Sequence, residues 1–352
     1  MSELVLVTGG SGYIAGWCLT DLLRRGYRVR TTIRNQAKEQ QVAGAVATDA
    51  GPAEAGRLEF AVADLTEDAG WDRAMDGVGY VLHVASPLGD PATTDRDALV
   101  APAREGTLRV LRAAVGAGVK RVVMTSAANA ASPSSYAQDG VTDETLWTDP
   151  DDPAIIPYRR SKTLAELAAW EFMKNHDGPA ELATVLPGAV FGPILTTATI
   201  GSVGIIARML AGKMRAVPRI GLEVVDVRDL VDAHLRAMTL PEAAGQRFLA
   251  TGEFIWMRDI ALALRGGLGQ QASKVSARQA PDVAVRLAAR FWDPSLRAIT
   301  PSLGRRNRHT IAKAERVLGW RPRHAAQTVV DCGRSLIAFG IPDSGTIASE
   351  RP

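Results

Sequence analysis

Residues 4–15 read Leu-Val-Leu-Val-Thr-Gly-Gly-Ser-Gly-Tyr-Ile-Ala, and this stretch decides the fold class. The apolar residues at its start predict a buried β-strand, and a helical pattern begins at Tyr13. Glycines between a strand and a helix allow a tight turn. They also let the backbone approach a pyrophosphate, which the free N–H groups at the helix start then bind. The stretch therefore predicts a dinucleotide-binding unit, and the alternative is an ordinary tight turn.

Short apolar runs alternate with helical patterns through the first half of the chain. Such runs between helices are typical of a parallel sheet that helices cover on both faces. The pattern predicts an α/β fold, a doubly wound parallel (Rossmann) sheet with a smaller, mostly helical substrate-binding domain. The predicted strands are Leu4–Thr8, Arg28–Ile33, Leu58–Val62, Tyr80–Val84, Arg121–Thr125, Leu182–Leu186 and Glu223–Val227, and the predicted helices are Tyr13–Arg25, Trp71–Met75, Glu105–Ala117, Tyr158–Met173, Val203–Leu210 and Leu230–Met238.

The same pattern divides the chain into domains. Residues 1–187 with 222–252 are predicted to form the dinucleotide-binding domain, and residues 188–221 with 253–342 the substrate-binding domain. Residues 343–352 are predicted to be a frayed tail. The chain after Met238 is expected to be mostly helical. Its arginine-rich link, Gly304–His309, is interpreted as a solvated loop because no aromatic platform for nucleic acid accompanies it.

The composition is that of an ordinary globular protein. Of 352 residues, 46% are hydrophobic and 22% charged, and 41 basic against 38 acidic side chains give a net charge of +3, which does not favour nucleic-acid binding. Two cysteines outside any CxxC pair and five histidines without an HExxH motif predict no metal site. No apolar run is long enough for a membrane span, and the N-terminus shows no secretory pattern. A cytoplasmic protein without a membrane or nucleic-acid partner is expected.

The end of the second predicted strand indicates which cofactor is preferred. An acidic residue there would bind the adenosine ribose 2′-OH, but the chain has Arg34. A guanidinium matches a 2′-phosphate in charge and geometry, so the sequence favours NADP(H) over NAD(H). The alternative is a solvent-facing loop arginine. Asp64 and Leu65, just past the third strand, are expected to bracket the adenine, although Asp64 equally fits a helix N-cap.

Tyr158 and Lys162 lie four residues apart on one predicted helix and share a face. The pKa of a free phenol is about 10, and a nearby ammonium lowers it. A tyrosine with such a lowered pKa can protonate a carbonyl oxygen as hydride arrives, or deprotonate an alcohol in the reverse direction. The spacing alone occurs by chance in many helices. On a helix before a sixth parallel strand, in a chain with the glycine turn, it predicts an oxidoreductase.

Together these motifs resemble an extended short-chain dehydrogenase/reductase of the dihydroflavonol-reductase-like group, which includes bacterial and fungal aldehyde and ketone reductases. The likeness runs from residue 1 to residue 252 and continues more weakly beyond it. The segments that carry it are Thr8–Ile14, Val29–Arg34, Ala63–Leu65, His83–Pro87, Tyr158–Glu166, Leu186–Pro193 and Val225–His234.

The resemblance implies NADP(H) as the cofactor and a role for each matching residue. Tyr158 would be the proton donor and Lys162 its helper, both would also contact the cofactor, with Lys162 holding the nicotinamide ribose, and Arg34 and Lys38 would contact the 2′-phosphate. The other cofactor contacts that it implies are Gly9, Ser11, Gly12, Tyr13 and Ile14 in the phosphate loop, Val84, Ala85, Ser86 and Thr125 beside the cofactor, and Pro187 and Val190 at its nicotinamide end.

The family pattern breaks after the fifth strand. The family normally has a Thr-Ser-Ser run there, whose last serine orients the substrate carbonyl. This chain has Thr125-Ser126-Ala127, so an alanine stands at the aligned position. Three interpretations stay open. Thr125, Ser126 or Asn129 supplies the missing donor, with Ser126 as the candidate catalytic residue; Tyr158 acts alone on a more activated substrate; or the chain binds cofactor without efficient turnover.

The functional hypothesis is an NADPH-dependent reductase of a small to medium hydrophobic aldehyde or ketone, reversible as an alcohol dehydrogenase. The alternatives are a cofactor-dependent sensor, or a hydroxysteroid dehydrogenase or sugar-nucleotide epimerase on the same fold. The expected partner is a small-molecule carbonyl or alcohol, and the chain is expected to be a monomer or a homodimer. Pro87–Asp90, Ala128–Tyr136 and Phe191–Ile200 are predicted to roof the substrate cleft, with Trp147 and Phe191 as candidate wall residues or, equally, core residues.

Overall fold

Strands and helices alternate along most of the chain in this computed structural model, which describes residues 3–86, 95–197 and 201–341. The strands are β1 (Leu4–Val7), β2 (Arg28–Ile33), β3 (Leu58–Val62), β4 (Val78–His83), β5 (Arg121–Thr125), β6 (Gly140–Thr142), β7 (Glu181–Pro187), β8 (Ala189–Phe191), β9 (Gly221–Asp226), β10 (Gln246–Ala250), β11 (Glu253–Trp256) and β12 (Asn307–His309). The α-helices are α1 (Tyr13–Arg24), α2 (Glu39–Ala50), α3 (Pro52–Ala55), α4 (Trp71–Met75), α5 (Val100–Gly116), α6 (Pro157–Lys174), α7 (Gly204–Leu210), α8 (Val227–Thr239), α9 (Met257–Leu268), α10 (Asp282–Phe291) and α11 (Ala325–Ala338).

A seven-stranded sheet forms the centre of the described residues, with the strand order β10-β7-β5-β4-β1-β2-β3. Every neighbouring pair in it is parallel, so the carboxyl ends of all seven strands share one edge. The predicted fold class, a doubly wound parallel sheet, is confirmed. Ligands of such sheets bind beyond the carboxyl ends of the strands, so a binding site is expected at this edge.

Both faces of the sheet are buried. Successive residues of a strand point to opposite faces, and in β1 Val5 and Val7 pack into a core shared with α1 and α8, whereas Leu4 and Leu6 pack into a core shared with α4, α5 and α6. Burial on both sides explains why the strand is an uninterrupted apolar run rather than an alternating one.

A smaller core lies beside the central sheet. Strands β8, β9 and β11 form a three-stranded sheet, and α7, α9 and α11 bury Ile206, Leu264 and Val329 against it. The segment 222–252, predicted with the dinucleotide-binding domain, contributes β9 to the small sheet and β10 to the large one. The predicted domain division stays a prediction, and the predicted tail, 343–352, lies outside the described residues.

The sequence does not predict strands β6, β8, β10, β11 and β12. Strand β12 pairs with β6 and carries His309, whose side chain is only 6% exposed. The interpretation of Gly304–His309 as a solvated loop is therefore wrong for its last three residues. The pairing partner lies far away in the sequence, so no local pattern announces the strand.

Candidate active site

The turn between β1 and α1 contains glycines whose backbone is not covered by side chains of their own. Gly9 has a φ of +71°, and a Cβ added there would lie 2.8 Å from Cβ of Ala85. At Gly10 an added Cβ would lie 2.5 Å from Oγ1 of Thr31. The N–H groups of Gly9 and Gly10 donate to Oγ1 and to the carbonyl oxygen of Thr32, each at 2.9 Å. Glycine is therefore required at Gly9 by backbone conformation and by space, and at Gly10 by space.

The start of α1 fits a diphosphate group. Its N-cap, Gly12, has no side chain to accept hydrogen bonds, and no acidic residue lies in the first turn of this fully described helix. The N–H groups of Tyr13 and Ile14 therefore stay available to a ligand at the positive end of the helix dipole. Gln41 of α2 and Leu195 line the cleft beside this turn.

The side chains of Ser11 and Tyr13 play different parts in this turn. Ser11 is half-buried and lines the cleft. The ring of Tyr13 packs against both the larger and the smaller core, and its hydroxyl is buried without a hydrogen-bond partner among the described residues. Burial raises the pKa of Tyr13 well above its ordinary value. Tyr13 thus offers its backbone rather than its hydroxyl to a cofactor.

Arg34 and Asp64 lie together at the edge beyond β2 and β3. The Arg34 side chain is exposed. Burial tends to raise the pKa of Asp64, but the N–H and hydroxyl of Thr66, each 2.8 Å from its Oδ1, and the charges of Arg34 and Arg109 hold that pKa below its usual range. Asp64 does not cap a helix, since α4 begins only at Trp71.

Lys38 and Leu65 flank the same edge. Lys38 is half-buried and ends a short 3₁₀ turn that leads into α2. Leu65 lies against α5, where a Cβ added at Gly106 would be 3.1 Å from Cβ of Leu65, and its carbonyl oxygen accepts a hydrogen bond from Arg109. The predicted contacts of Lys38 and Leu65 with the cofactor stay predictions.

Thr8 joins the ends of β1 and β4. Its Oγ1 accepts the N–H groups of Val84 at 3.1 Å and Ala85 at 3.0 Å, and lies 3.0 Å from Nδ1 of His83. Because both lone pairs of Oγ1 are occupied, its proton goes to Nδ1, which places the ring proton on Nε2. Burial lowers the pKa of His83 to about 3, so the ring stays neutral. The segment up to Ser86 is thereby held beside the glycine turn.

Tyr158 and Lys162 lie one turn apart in the first half of α6. Nζ of Lys162 is 6.0 Å from the centre of the Tyr158 ring. Neither the hydroxyl nor Nζ has a hydrogen-bond partner among the described residues, and neither is among the unpartnered polar atoms that are sealed from solvent, so both atoms keep some contact with solvent. After burial, the charge of Lys162 is the second cause of the lowered pKa of His83, which places the ammonium beside the carboxyl end of β4.

Burial dominates the pKa of both groups. It raises the pKa of Tyr158 above its ordinary value, so the phenol keeps its proton near neutral pH. It lowers the pKa of Lys162 to about 8, against the opposing charge of Glu166. The prediction that the ammonium of Lys162 lowers the pKa of Tyr158 is therefore wrong, because burial raises that pKa instead. A protonated phenol suits proton delivery to a carbonyl.

Glu166 anchors α6 to the central sheet. The carboxylate is fully buried, and its Oε1 accepts hydrogen bonds from Oγ1 of Thr184 at 2.8 Å and Nε of Arg247 at 2.9 Å. Its Oε2 accepts from Oγ of Ser126 at 2.6 Å. Moving any of these donors away would leave the buried charge of Glu166 with fewer hydrogen bonds, which is energetically costly. The cluster ties the helix that carries Tyr158 to β5, β7 and β10.

The hydroxyl groups at the end of β5 bond inside the protein. Ser126, 2% exposed, donates to the buried carboxylate just described. Oγ1 of Thr125 lies 2.7 Å from Nε2 of His234. Ala127 is buried and presents only a methyl group. Asn129 is half-buried in the turn that follows.

The segments predicted to roof the cleft are described in part. Pro87–Asp90 lies outside the described residues, and so do residues 198–200 of the predicted Phe191–Ile200. Within the latter segment Phe191 is fully buried in the smaller core, so core packing accounts for it.

Two further predicted contacts lie at or near the carboxyl edge of the sheet. Pro187 ends β7, and Val190, 7% exposed, lies in β8. Trp147 stacks on Arg247, whose Cζ lies 3.5 Å from the ring centre, so this tryptophan covers the buried guanidinium.

Sequence reasoning missed two groups that hold the site together. Glu166 lies four residues after Lys162, so its position within the tyrosine–lysine motif was a usable signal. Thr8, the last residue before the glycines, was assigned to the first strand and to the segment that carries the resemblance, but no role was predicted for its side chain. Its partners are the N–H groups that follow β4, more than 70 residues away.

Known proteins resemble this chain in sequence and in fold. The model of the NAD dependent epimerase/dehydratase family matches residues 5–250. The chain belongs to this family. The resemblance to an extended short-chain dehydrogenase/reductase of the dihydroflavonol-reductase-like group is thereby confirmed, and so is the predicted enzyme class, an oxidoreductase acting on CH–OH or C=O groups.

Relatives within the epimerase/dehydratase family include reductases from plants and fungi. Cinnamoyl-CoA reductase CAD2 of Medicago truncatula is 37% identical over 254 residues, which are 71% of this chain and 76% of that protein. The ketoreductase azaE of Aspergillus niger is 33% identical over 304 residues, 80% of this chain and 87% of that one. The crystal structure of Gre2 from Candida albicans in complex with NADPH has a TM-score of 0.78 at 26% identity and covers 96% of this chain and 99% of its own.

The described residues contain neither a metal-binding cluster nor a helix suited to a membrane span. Residues 3–86, 95–197 and 201–341 contain no group of three or more His, Cys, Asp or Glu side chains placed to hold a metal ion. In the part of the chain that the structure describes, none of the helices combines the length and the apolar character that a membrane span requires.

Proposed function

We propose that the chain transfers hydride from NADPH to the carbonyl carbon of a small to medium hydrophobic aldehyde or ketone, reversibly. One observation carries the proposal: the hydroxyl of Tyr158 and the ammonium of Lys162 lie one turn apart on α6, are unbonded among the described residues and are not sealed from solvent, and the ammonium lies beside the carboxyl end of β4. The neighbouring strand β1 leads into the uncapped start of α1 at the same edge. A proton donor and a diphosphate site thus lie at one edge of the sheet.

NADP(H) is the cofactor, and this chain's residues fit it. The glycine turn and the N–H groups of Tyr13 and Ile14 would hold the diphosphate, and Arg34 with Lys38 the 2′-phosphate. The solved relative Gre2 binds NADPH on the same fold. When bound, the cofactor supplies the hydride, and the protein supplies position and electrostatics.

Tyr158 performs the proton step of this reaction. As a C–H bond forms at the carbonyl carbon, the C=O π electrons move to the oxygen, and that oxygen takes the Tyr158 proton. The phenolate that remains is stabilised by the ammonium of Lys162 and regains a proton from solvent. The raised pKa of Tyr158 keeps the donor loaded before each turnover.

The proposal is tested by NADPH consumption against a panel of aliphatic and aromatic aldehydes and ketones, with product alcohols identified by mass spectrometry. We expect turnover with apolar carbonyls and one alcohol formed per NADPH oxidised. Tight NADPH binding with no turnover of any panel member would refute it.

Arg34→Ala is expected to weaken NADPH binding by roughly 10- to 100-fold, because a hydrogen bond between charged groups contributes about 1.5–3 kcal/mol. NADH binding serves as the internal control and should stay unchanged, since NADH has no 2′-phosphate. Titration of cofactor fluorescence measures both affinities. Equal losses for the two cofactors would show that Arg34 does not recognise the phosphate.

A cofactor-dependent binding protein with little turnover is the second candidate. The observation that favours it is Ala127, a buried methyl where the family has a hydroxyl donor. The same panel separates the two functions. The cytoplasmic location and the monomeric or homodimeric state stay predictions.

A further inference from the structure

The position that should polarise the substrate carbonyl lacks a donor. Ala127 follows β5 in an extended conformation and its side chain is 5% exposed. A carbonyl that receives hydride develops negative charge on its oxygen, and a second hydrogen-bond donor beside Tyr158 would stabilise that charge. The chain offers three neighbouring polar side chains, at Thr125, Ser126 and Asn129, and the structure gives an acceptor for the hydroxyl protons of the first two.

The hydroxyl of Thr125 donates its proton in a hydrogen bond to His234. Nδ1 of His234 lies 2.8 Å from the carbonyl oxygen of Leu230, which can only accept, so Nδ1 carries the ring proton. Burial lowers the pKa of His234 to about 4, so Nε2 is unprotonated near neutral pH. Nε2 therefore accepts the Thr125 hydroxyl proton across 2.7 Å. Thr125 has no proton left for a substrate.

The hydroxyl of Ser126 donates its proton in a hydrogen bond to Glu166. Oγ of Ser126 lies 2.6 Å from Oε2 of a carboxylate that is fully buried and ion-paired with Arg247. A hydrogen bond to a buried carboxylate is stronger than one to a neutral carbonyl. Ser126, although predicted as the catalytic residue, therefore stays bonded within the fold in this structure.

Asn129 differs from both. Its Oδ1 accepts a hydrogen bond from the hydroxyl of Tyr136 at 3.0 Å, which fixes the orientation of the amide. No described residue accepts a hydrogen bond from its Nδ2, and the side chain is half-buried rather than sealed. Its backbone is fixed as well, because the carbonyl oxygen accepts from Oγ1 of Thr148 at 2.6 Å. The amide thus presents two N–H donors from a rigid turn two residues after Ala127.

Tyr136 connects this amide to the helix of the proton donor. The guanidinium of Arg159 lies 4.5 Å over the Tyr136 ring and donates to the carbonyl oxygens of Pro133 at 2.5 Å and Ser134 at 2.8 Å. Arg159 directly follows Tyr158. The segment that orients Asn129 is therefore fastened to the first turn of α6.

We propose that Nδ2 of Asn129 donates the hydrogen bond to the substrate carbonyl oxygen that the family takes from a serine at position 127. This role rests on the proposed reductase function. The amide keeps its protons throughout: hydride forms the new C–H bond, Tyr158 supplies the O–H proton, and Asn129 only stabilises the charge that develops on the oxygen. Tyr136 is a positioning residue that acts through Asn129.

The test compares Asn129→Ala with the double variant Ala127→Ser/Asn129→Ala. Loss of one such donor is expected to lower kcat by roughly 10²- to 10³-fold, with NADPH affinity unchanged. A serine restored at position 127 is expected to recover at least tenfold of that loss. Asn129→Asp keeps the shape and the acceptor for Tyr136 but loses both donors, so it repeats the test if the alanine variant fails to fold. Asn175→Ala, an exposed asparagine after α6, is the matched control.

Tyr136→Phe adds a readout for positioning. Without its hydroxyl the amide can rotate, so kcat should fall by less than in Asn129→Ala, with KM nearly unchanged. An Asn129→Ala variant with kcat close to that of the wild type would overturn the role of Asn129 while leaving the reductase function in place. An equal loss in the double variant, with no recovery, would overturn it too. A wild-type chain that binds NADPH but reduces no carbonyl would overturn both proposals.

Discussion

Tyr158→Phe is expected to lower carbonyl reduction by roughly 10²- to 10⁴-fold while NADPH affinity stays within a factor of two or so, because the change removes one proton donor and no cofactor contact of the phosphate loop. The ring that remains fills the same space. Steady-state turnover and cofactor titration on the same preparation measure the two quantities.

Tyr27→Phe is the matched control for this prediction. It removes the same hydroxyl from a half-buried tyrosine immediately before β2, at the opposite edge of the sheet. Its turnover should equal that of the wild type. Similar turnover in Tyr158→Phe and Tyr27→Phe would show that Tyr158 does not donate the proton to the carbonyl oxygen.

Glu166→Ala is expected to reduce the free energy of unfolding by about 3–5 kcal/mol, the usual loss when one partner of a buried ion pair is removed. The guanidinium of Arg247 would stay buried without its carboxylate, and the hydroxyls of Ser126 and Thr184 would lose their acceptor. Urea denaturation followed by tryptophan fluorescence measures the difference.

Glu171→Ala provides the comparison on the same helix. Glu171 is exposed, and a surface substitution there should change the free energy of unfolding by about 0.5 kcal/mol or less. If both variants unfold at the same urea concentration, the buried cluster does not hold α6 in place. The orientation of Tyr158 would then need another cause.

Local sequence patterns predict the central sheet and the glycine turn between β1 and α1. Val5, Leu6 and Val7 are buried because helices cover both faces of the sheet, and this burial makes the strand apolar throughout. The glycine turn was equally visible, since a backbone that needs φ above zero selects glycine. Such features depend on neighbours within a few residues, which a sequence displays directly.

Long-range pairings were not visible in the same way. The Glu166–Arg247 pair spans 81 residues and the contact of His309 with Glu223 spans 86, so neither leaves a local signature. The pKa of Tyr158 was predicted in the wrong direction for the same reason. Burial, which dominates it, depends on the whole fold, whereas the neighbouring ammonium could be read from the spacing.

The most direct test of the reductase function follows the hydride itself. NADPH carrying deuterium at C4 of the nicotinamide, with each of the two epimers used separately, is incubated with the enzyme and the carbonyl that it reduces fastest. The alcohol is then analysed by mass spectrometry. We expect deuterium on the carbinol carbon from one of the two epimers. An alcohol without deuterium from either epimer, or bound NADPH with no alcohol formed, would contradict the assigned reaction.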